Sequence, residues 1–235
     1  MNLKPYLKYI YEVLAIVIGI TLSFMVDEWR EERQNREIEN TYLINLRSDL
    51  VQDTSFFTLM ISRDSQSVND GIKLRKVLYQ NDSVNNPENF IVSTQFIGRL
   101  IAVEAINTTF VEIQNSGMLK LIKNDSLRRN LIAYHEDILL PTFNGLIEER
   151  VWKMHDHIIK QLPFEYFLAE EMDVSMDSLD YEIITSKLIE NLSNPEFEFV
   201  LKNSVRTIKQ RKTILTNKKN KAIHLLNLID EELKK

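Results

Sequence analysis

The sequence predicts an all-α protein: an N-terminal transmembrane helix continuing into a long stalk helix, then a helical bundle with a long C-terminal helix. Three observations lead there. Tyr9–Val26 (YIYEVLAIVIGITLSFMV) is eighteen residues long and carries one charge, Glu12. At about 1.5 Å per residue it makes a helix of roughly 27 Å, close to the hydrocarbon thickness of a bilayer. The 235 residues include only five glycines and five prolines, with 27% charged residues and no β-type alternation, which favours long helices joined by few turns. The end of the chain carries apolar residues at heptad spacing.

The chain divides into a short basic tail (1–8), the span (9–26), a charged helical stalk (27–40) and a helical-bundle domain (41–235). Lys4 and Lys8 precede the span, as in a secretory signal, but Phe24-Met25-Val26-Asp27 offers no small-x-small cleavage site. Tyr6, Tyr9 and Tyr11 at one end and Trp29 at the other sit where aromatic belts mark membrane interfaces. An uncleaved anchor is favoured over a processed signal or a soluble core helix. Arg30, Arg33 and Arg36 follow the span but are interleaved with Asp27, Glu28, Glu31, Glu32, Glu37 and Glu39. A short basic tail ahead of a first helix normally stays inside, so the domain is expected outside the cytoplasm. The absence of cysteine excludes disulfides and thiolate metal sites and fits either compartment.

Neither glycine nor proline occurs between Gly19 and Gly71, so the span is expected to run on as one helix to about Tyr79. The stalk is polar nearly all round, with Glu32–Arg36 and Asp27–Arg30 at helix-pair spacing. Apolar residues return with helical period at Leu43, Leu46, Leu50, Phe57, Met60 and Ile61, where the domain begins to bury surface. Gln80–Asn89 reads as a loop, and Phe90–Ile106 as a second helix. Thr109-Phe110-Val111-Glu112 has the capping-box pattern, with Gly117 placed to end that helix. Asn124-Asp125 caps the next helix, expected to bend near Pro141 and resume to about Leu162. Phe164–Asp180 reads as turns and loop, and Asp180 as the cap of a helix through Leu192. Asn194-Pro195 is a sharp start for a last helix whose seam is expected at Leu201, Val205, Ile208, Leu215, Ala222, Leu226, Ile229 and Leu233, interrupted by Lys212 and Lys219.

The segment Glu12-Val13…Ile18-Gly19-Ile20…Asp27-Glu28-Trp29-Arg30-Glu31-Glu32-Arg33 resembles the opening of a family of uncharacterised single-pass bacterial membrane proteins. Thr108–Gly117, Leu119–Asp125 and Asn194-Pro195-Glu196-Phe197 are similar to that family's later signatures. The resemblance implies a membrane anchor and a helical fold only; joined to the basic-tail argument, the expected address is a bacterial inner membrane with the domain on the periplasmic side. The resemblance brings no activity with it. Thr21 and Ser23 make this span more polar than the family leads one to expect.

Chemistry-bearing patterns are sparse. The four histidines are His135, His155, His157 and His224; the middle two, two residues apart, face different sides of a helix and cannot share a metal. No HExxH, Gly-rich phosphate loop or nucleophile elbow occurs. Glu148-Glu149 and His135-Glu136-Asp137 read as solvated helix faces. The expectation is therefore no enzyme, no cofactor and no metal.

From Glu165 to Glu198 there are ten acidic residues and one basic; from Phe199 to Ile229 there are eight basic residues and no acid. Pairing between these blocks, within or between copies, is favoured over lipid. Nucleic acid is not expected, since no aromatic residue follows Phe199.

Within the span, Ala15, Gly19 and Ser23 form a small-xxx-small stripe suited to self-association, with Glu12 one turn before on the same face. The function expected is a membrane-anchored scaffold or accessory protein acting through a homo-oligomer or a protein partner. The alternative is a signal-transmitting or ion-coupled subunit using Glu12.

Overall fold

The structure is a computed structural model that describes residues 4–163, 166 and 178–234, with side chains from Glu12 onward and outside 178–179. The described residues are helical, with no strand among them. The first helix, α1 (Lys4–Gln80), is a single unbroken rod of 77 residues. It is followed by α2 (Pro87–Gln95), α3 (Thr108–Asn115), a 3-10 turn (Met118–Leu121), α4 (Asp125–His135) and α5 (Leu139–Ile147). A π-helical turn (Glu148–Trp152) joins α5 to α6 (Lys153–Ile159), and α7 (Ser178–Leu192) precedes the long α8 (Pro195–Glu232).

The two long helices lie antiparallel and form the frame. Arg47–Asp230 (2.6 Å) and Arg75–Glu198 (2.8 Å) pin the two ends of their contact. With Val68 and Asp70 buried beside it, one row of buried positions runs along α1: Glu39, Leu43, Leu46, Leu50, Asp53, Phe57, Met60, Asp64, Ser67, Gly71, Leu74 and Leu78. Their spacing alternates three and four without a break, the signature of a helix that keeps one seam against a partner. A Cβ on Gly71 would lie 2.6 Å from Val205 Cγ2, so glycine is what lets α8 approach there.

The smaller helices fill one side of the α1–α8 pair and divide the core in two. The cluster nearer Gln80 gathers Leu74, Ile91, Ile97, Val151, Leu188 and Phe197. The cluster nearer the stalk gathers Leu46, Phe57, Phe110, Leu131, Leu215 and Ile229.

Most helix ends follow their local chemistry. Asn86, Asn124 and Asn194 each accept backbone N–H bonds from the first turn of α2, α4 and α8, and Pro87 and Pro195 sit at first positions that need no N–H. Gly117, at φ +70°, closes α3.

Several expectations are corrected. The cap of α3 is Asn107, without a side-chain bond, and Thr109 is buried inside the first turn, so the predicted capping box is not formed. The chain breaks at Glu136–Ile138 rather than at Pro141, which sits in the first turn of α5 where its missing N–H costs nothing. Asp180 lies in the first turn of α7 instead of capping it. The loop expected at Phe164–Asp180 falls almost wholly outside the described residues.

The largest correction concerns Phe90–Ile106. Its helix stops at Gln95 and the chain continues to Asn107 as turns and irregular backbone. Gly98 there has φ +80°, and a Cβ on it would meet Met154 Cε at 2.8 Å and Val151 Cγ1 at 2.9 Å. Ile97, Leu100 and Val103 are buried while Phe96 and Ile101 are exposed, so a helix-like apolar spacing here comes from a threaded strand of chain.

Residues 12–34 stand clear of the domain and are exposed all round. Among the described residues no helix is long and apolar enough to cross a membrane. The described apolar run, 12–26, holds fifteen residues; the side chains of Tyr9, Ile10 and Tyr11, which begin the predicted span, lie outside them.

Candidate functional site

The chemistry-bearing side chains gather along the α1–α8 seam. On α8, where Phe197, Val205 and Thr207 are also buried, one row of buried positions runs Leu201, Ser204, Ile208, Arg211, Leu215, Lys218, Ala222, Leu225 and Ile229. Of the predicted seam, Leu201, Val205, Ile208, Leu215, Ala222 and Ile229 are buried, whereas Leu226 and Leu233 are only partly so. The residue three after each shared position is more buried than the one four after, so Arg211, Lys218 and Leu225 take the places assigned to Lys212, Lys219 and Leu226. Lys212 and Lys219 were read as interruptions because a cation was not expected inside; the true seam carries cations one residue earlier.

Those cations have anionic partners on α1 and in the break between α4 and α5. Arg211 and Asp64 are both fully buried, with Nε 3.1 Å from Oδ2. The N–H does not point along that line, and neither atom has a directed hydrogen bond in the pair, so the contact is an ion pair. Burial pushes the Asp64 carboxyl up to about 6, against the opposing pull of Arg211. Burial likewise lowers the Arg211 guanidinium, with Asp64 pulling it back.

Further along, Lys218 donates to the Tyr134 carbonyl, lies 4.2 Å over the Tyr134 ring and is 4.0 Å from Asp137. Its ammonium is held below the usual lysine range by burial. Asp137 is nevertheless held below its ordinary value: its partial burial works upward, but the hydrogen bond from Lys221 (2.8 Å), the Leu139 N–H and the charges of both lysines prevail.

Asp53 accepts from Tyr134 Oη (2.6 Å) and from the Ile106 N–H (2.9 Å). Burial is the largest influence on Asp53 and raises its carboxyl; burial, then the bond to Asp53, raises the Tyr134 phenol as well. Tyr134 therefore stays a donor. His135 beside it stacks on Phe110, ring centroids 4.3 Å apart. Both its ring nitrogens are buried without a hydrogen-bond partner. Burial and the Lys218 charge lower it to about 4, so its ring is neutral above that pH. A cavity of about 170 Å³ borders His135, Asp137, Lys218 and Asn107. Nothing in the group pairs a nucleophile with an activating base.

What the buried polar groups do instead is hold backbone. The threaded segment 96–107 has no helix or sheet to satisfy its amides, and a buried unpaired peptide group is costly. Ser67 Oγ accepts from Gly98 N–H, Trp152 Nε1 donates to Leu100 O, and Arg211 donates to Ile101 O. Asn144 clamps both backbone groups of Val103, and Asp53 takes the Ile106 N–H. Below it, Glu39 accepts from Lys123 N–H. Asp53 and Arg211 among them are not legible in the sequence because a charge on an apolar seam reads as a break. The available signal was the strict three–four spacing continuing through them.

The other predicted positions lie elsewhere. Glu12, Ala15, Gly19 and Ser23 are exposed on α1, far along the rod from this cluster, and a Cβ on Gly19 would meet open space. His155 faces Ile97 O at 3.3 Å and His157 stacks on Phe197. Among the described residues no group of three or more acidic, histidine or cysteine side chains could hold a metal ion. The described ion pairs of the basic block 199–229 go to Asp64 and Asp137 rather than to the acidic block before it, whose Glu198 pairs with Arg75. The antiparallel frame sets this, because it lays α8 beside α1. Comparison with known proteins finds no matching family model, curated protein or solved structure.

Proposed function

We propose that this protein is a single-pass, membrane-anchored helical scaffold or accessory protein that acts by binding other chains rather than by catalysis. The observation that carries the reading is the exposure of Val13–Val26. Val13, Leu14, Ile16, Val17, Ile18, Ile20, Leu22, Phe24, Met25 and Val26 are all at least 49% exposed. An apolar helix face costs on the order of 1.5–3 kcal/mol per large side chain left in water, and this one is apolar all round, the pattern of a helix in hydrocarbon. Tyr9–Tyr11 would supply its remaining turn. The charged stalk that follows suits a water-filled gap between bilayer and domain.

The proposed address is a bacterial inner membrane, with the domain on the periplasmic side, in keeping with the basic tail and with the resemblance to uncharacterised single-pass membrane proteins. Alkaline carbonate washing of membranes tests the anchor. The chain should remain in the pellet; its release into the supernatant would refute the reading.

A second reading, transmission of a signal, is favoured by one observation: α1 is unbroken from the apolar run to Gln80. A shift or rotation at one end would reach the other without a hinge. In that case, or if Glu12 handles an ion, Glu12→Gln should alter output while leaving insertion intact.

A further inference from the structure

Beyond the anchor, the outer face of α1 carries a second seam. Ile44, Ser48, Val51, Ser55, Thr58 and Ser62 are all exposed, on the side of α1 away from the core. Their spacing alternates four and three, the heptad rhythm of a helix that packs along a partner helix. Ile44 is 57% and Val51 41% exposed, and Leu59 at the flank is 49% exposed. No charged residue interrupts the row.

Two of its four hydroxyls are already spent. Ser55 Oγ donates to Val51 O at 3.0 Å and Thr58 Oγ1 to Thr54 O at 2.7 Å. A hydroxyl bonded back to its own helix loses little when covered, so Ser55 and Thr58 add small apolar-like positions to Ile44 and Val51. We propose that it is the face on which a second copy of this chain docks, in parallel, with the two α1 helices back to back.

The proposal rests on the anchored reading, and that reading says why the occupant is a second copy. Two chains held in one bilayer are parallel and at one height, so identical residues are brought opposite one another at high effective concentration. Steps of three and four also lead back from Ile44 through Thr41, Glu37, Arg33, Arg30 and Val26 to Ser23, so the face continues the Ala15–Gly19–Ser23 stripe of the apolar run. The bundle lies on the other side of α1 and does not obstruct the approach. Leaving out the charged stalk, the contact spans 15–26 and 41–62, together about 50 Å long and about 10 Å wide on each copy. That is on the order of 1,000 Å² in total, at the low end for specific interfaces.

The chain has no cysteine, so single introduced thiols read the contact in full-length protein in native membranes. Ser48→Cys and Ser55→Cys should give disulfide-linked dimers under mild oxidant, and Thr213→Cys, on the exposed side of α8, should give none. Val51→Asp added to Ser48→Cys should abolish the dimer without lowering the melting temperature. Absence of dimers at 48 and 55, or equal yields at 213, would overturn the proposal. Crosslinks at Gly19→Cys alone would also overturn it while leaving the anchor intact. Dimers at 48 and 55 in a chain that carbonate strips from membranes would uphold this face and sink the anchor.

Discussion

Asp64 and Arg211 show how one buried pair can be both costly and needed. Neither side chain is more than 1% exposed, and taking two charges out of water offsets much of their attraction. Arg211 also donates to Ile101 O, which ties the pair to the threaded segment. Arg211→Leu alone should therefore cost about 3–5 kcal/mol, because Asp64 is left charged in a dry site. Adding Asp64→Leu should recover part of that in chemical melts of the solubilised chain. No recovery would mean that the pair is more than a local charge match.

The same carboxyl makes stability depend on pH. Its folded value, about 6, lies above the ordinary 3.8, so between those values the folded state binds the proton more tightly than the unfolded chain. The contribution is fully present below about pH 4 and is lost as pH rises through about 6. Relative to Asp64→Asn, the wild type should lose stability across that window. A difference that stays flat from pH 4 to 7 would show that Asp64 keeps an ordinary carboxyl.

At the scale of elements, helix starts follow short-range chemistry. An Asn side chain and a following proline act within one turn, which is why Asn124 and Asn194–Pro195 could be read directly. Register is harder. In α8 the choice between residues three and four after each shared position depends on which partner helix the seam follows, and on whether that partner offers anions. Leu225 is 1% exposed and Leu226 only partly buried. Leu225→Ala should therefore cost about 2–5 kcal/mol and Leu226→Ala distinctly less, as thermal melts can show. Equal costs would return the seam to the register expected from sequence.

For the whole molecule, one rod sets the layout. α1 runs from the apolar stretch through the stalk into the core, and α8 returns along it, with Asn124 Nδ2 bonded to Glu232 near the stalk end. The end of α8 thus comes back towards the stalk end of the domain. A reporter active only in the cytoplasm, fused after Lys235, should be silent if the domain is periplasmic. Strong activity would reverse the orientation while leaving the anchor unaffected.

The sequence by itself determined the helical class, the unbroken rod past Gly19, the apolar run, and the caps at Asn124 and Asn194. Each of these depends on composition or on contacts within about a turn of the chain. Only the tertiary structure decided that 96–107 threads between helices, that Asp53, Asp64, Arg211 and Lys218 are buried, and that Glu198 meets Arg75. Those outcomes join residues from 31 to 147 positions apart. A charge is buried only where a distant partner repays its desolvation, and an irregular segment is buried only where distant side chains satisfy its amides. Neither condition is written in the local pattern of the residues themselves.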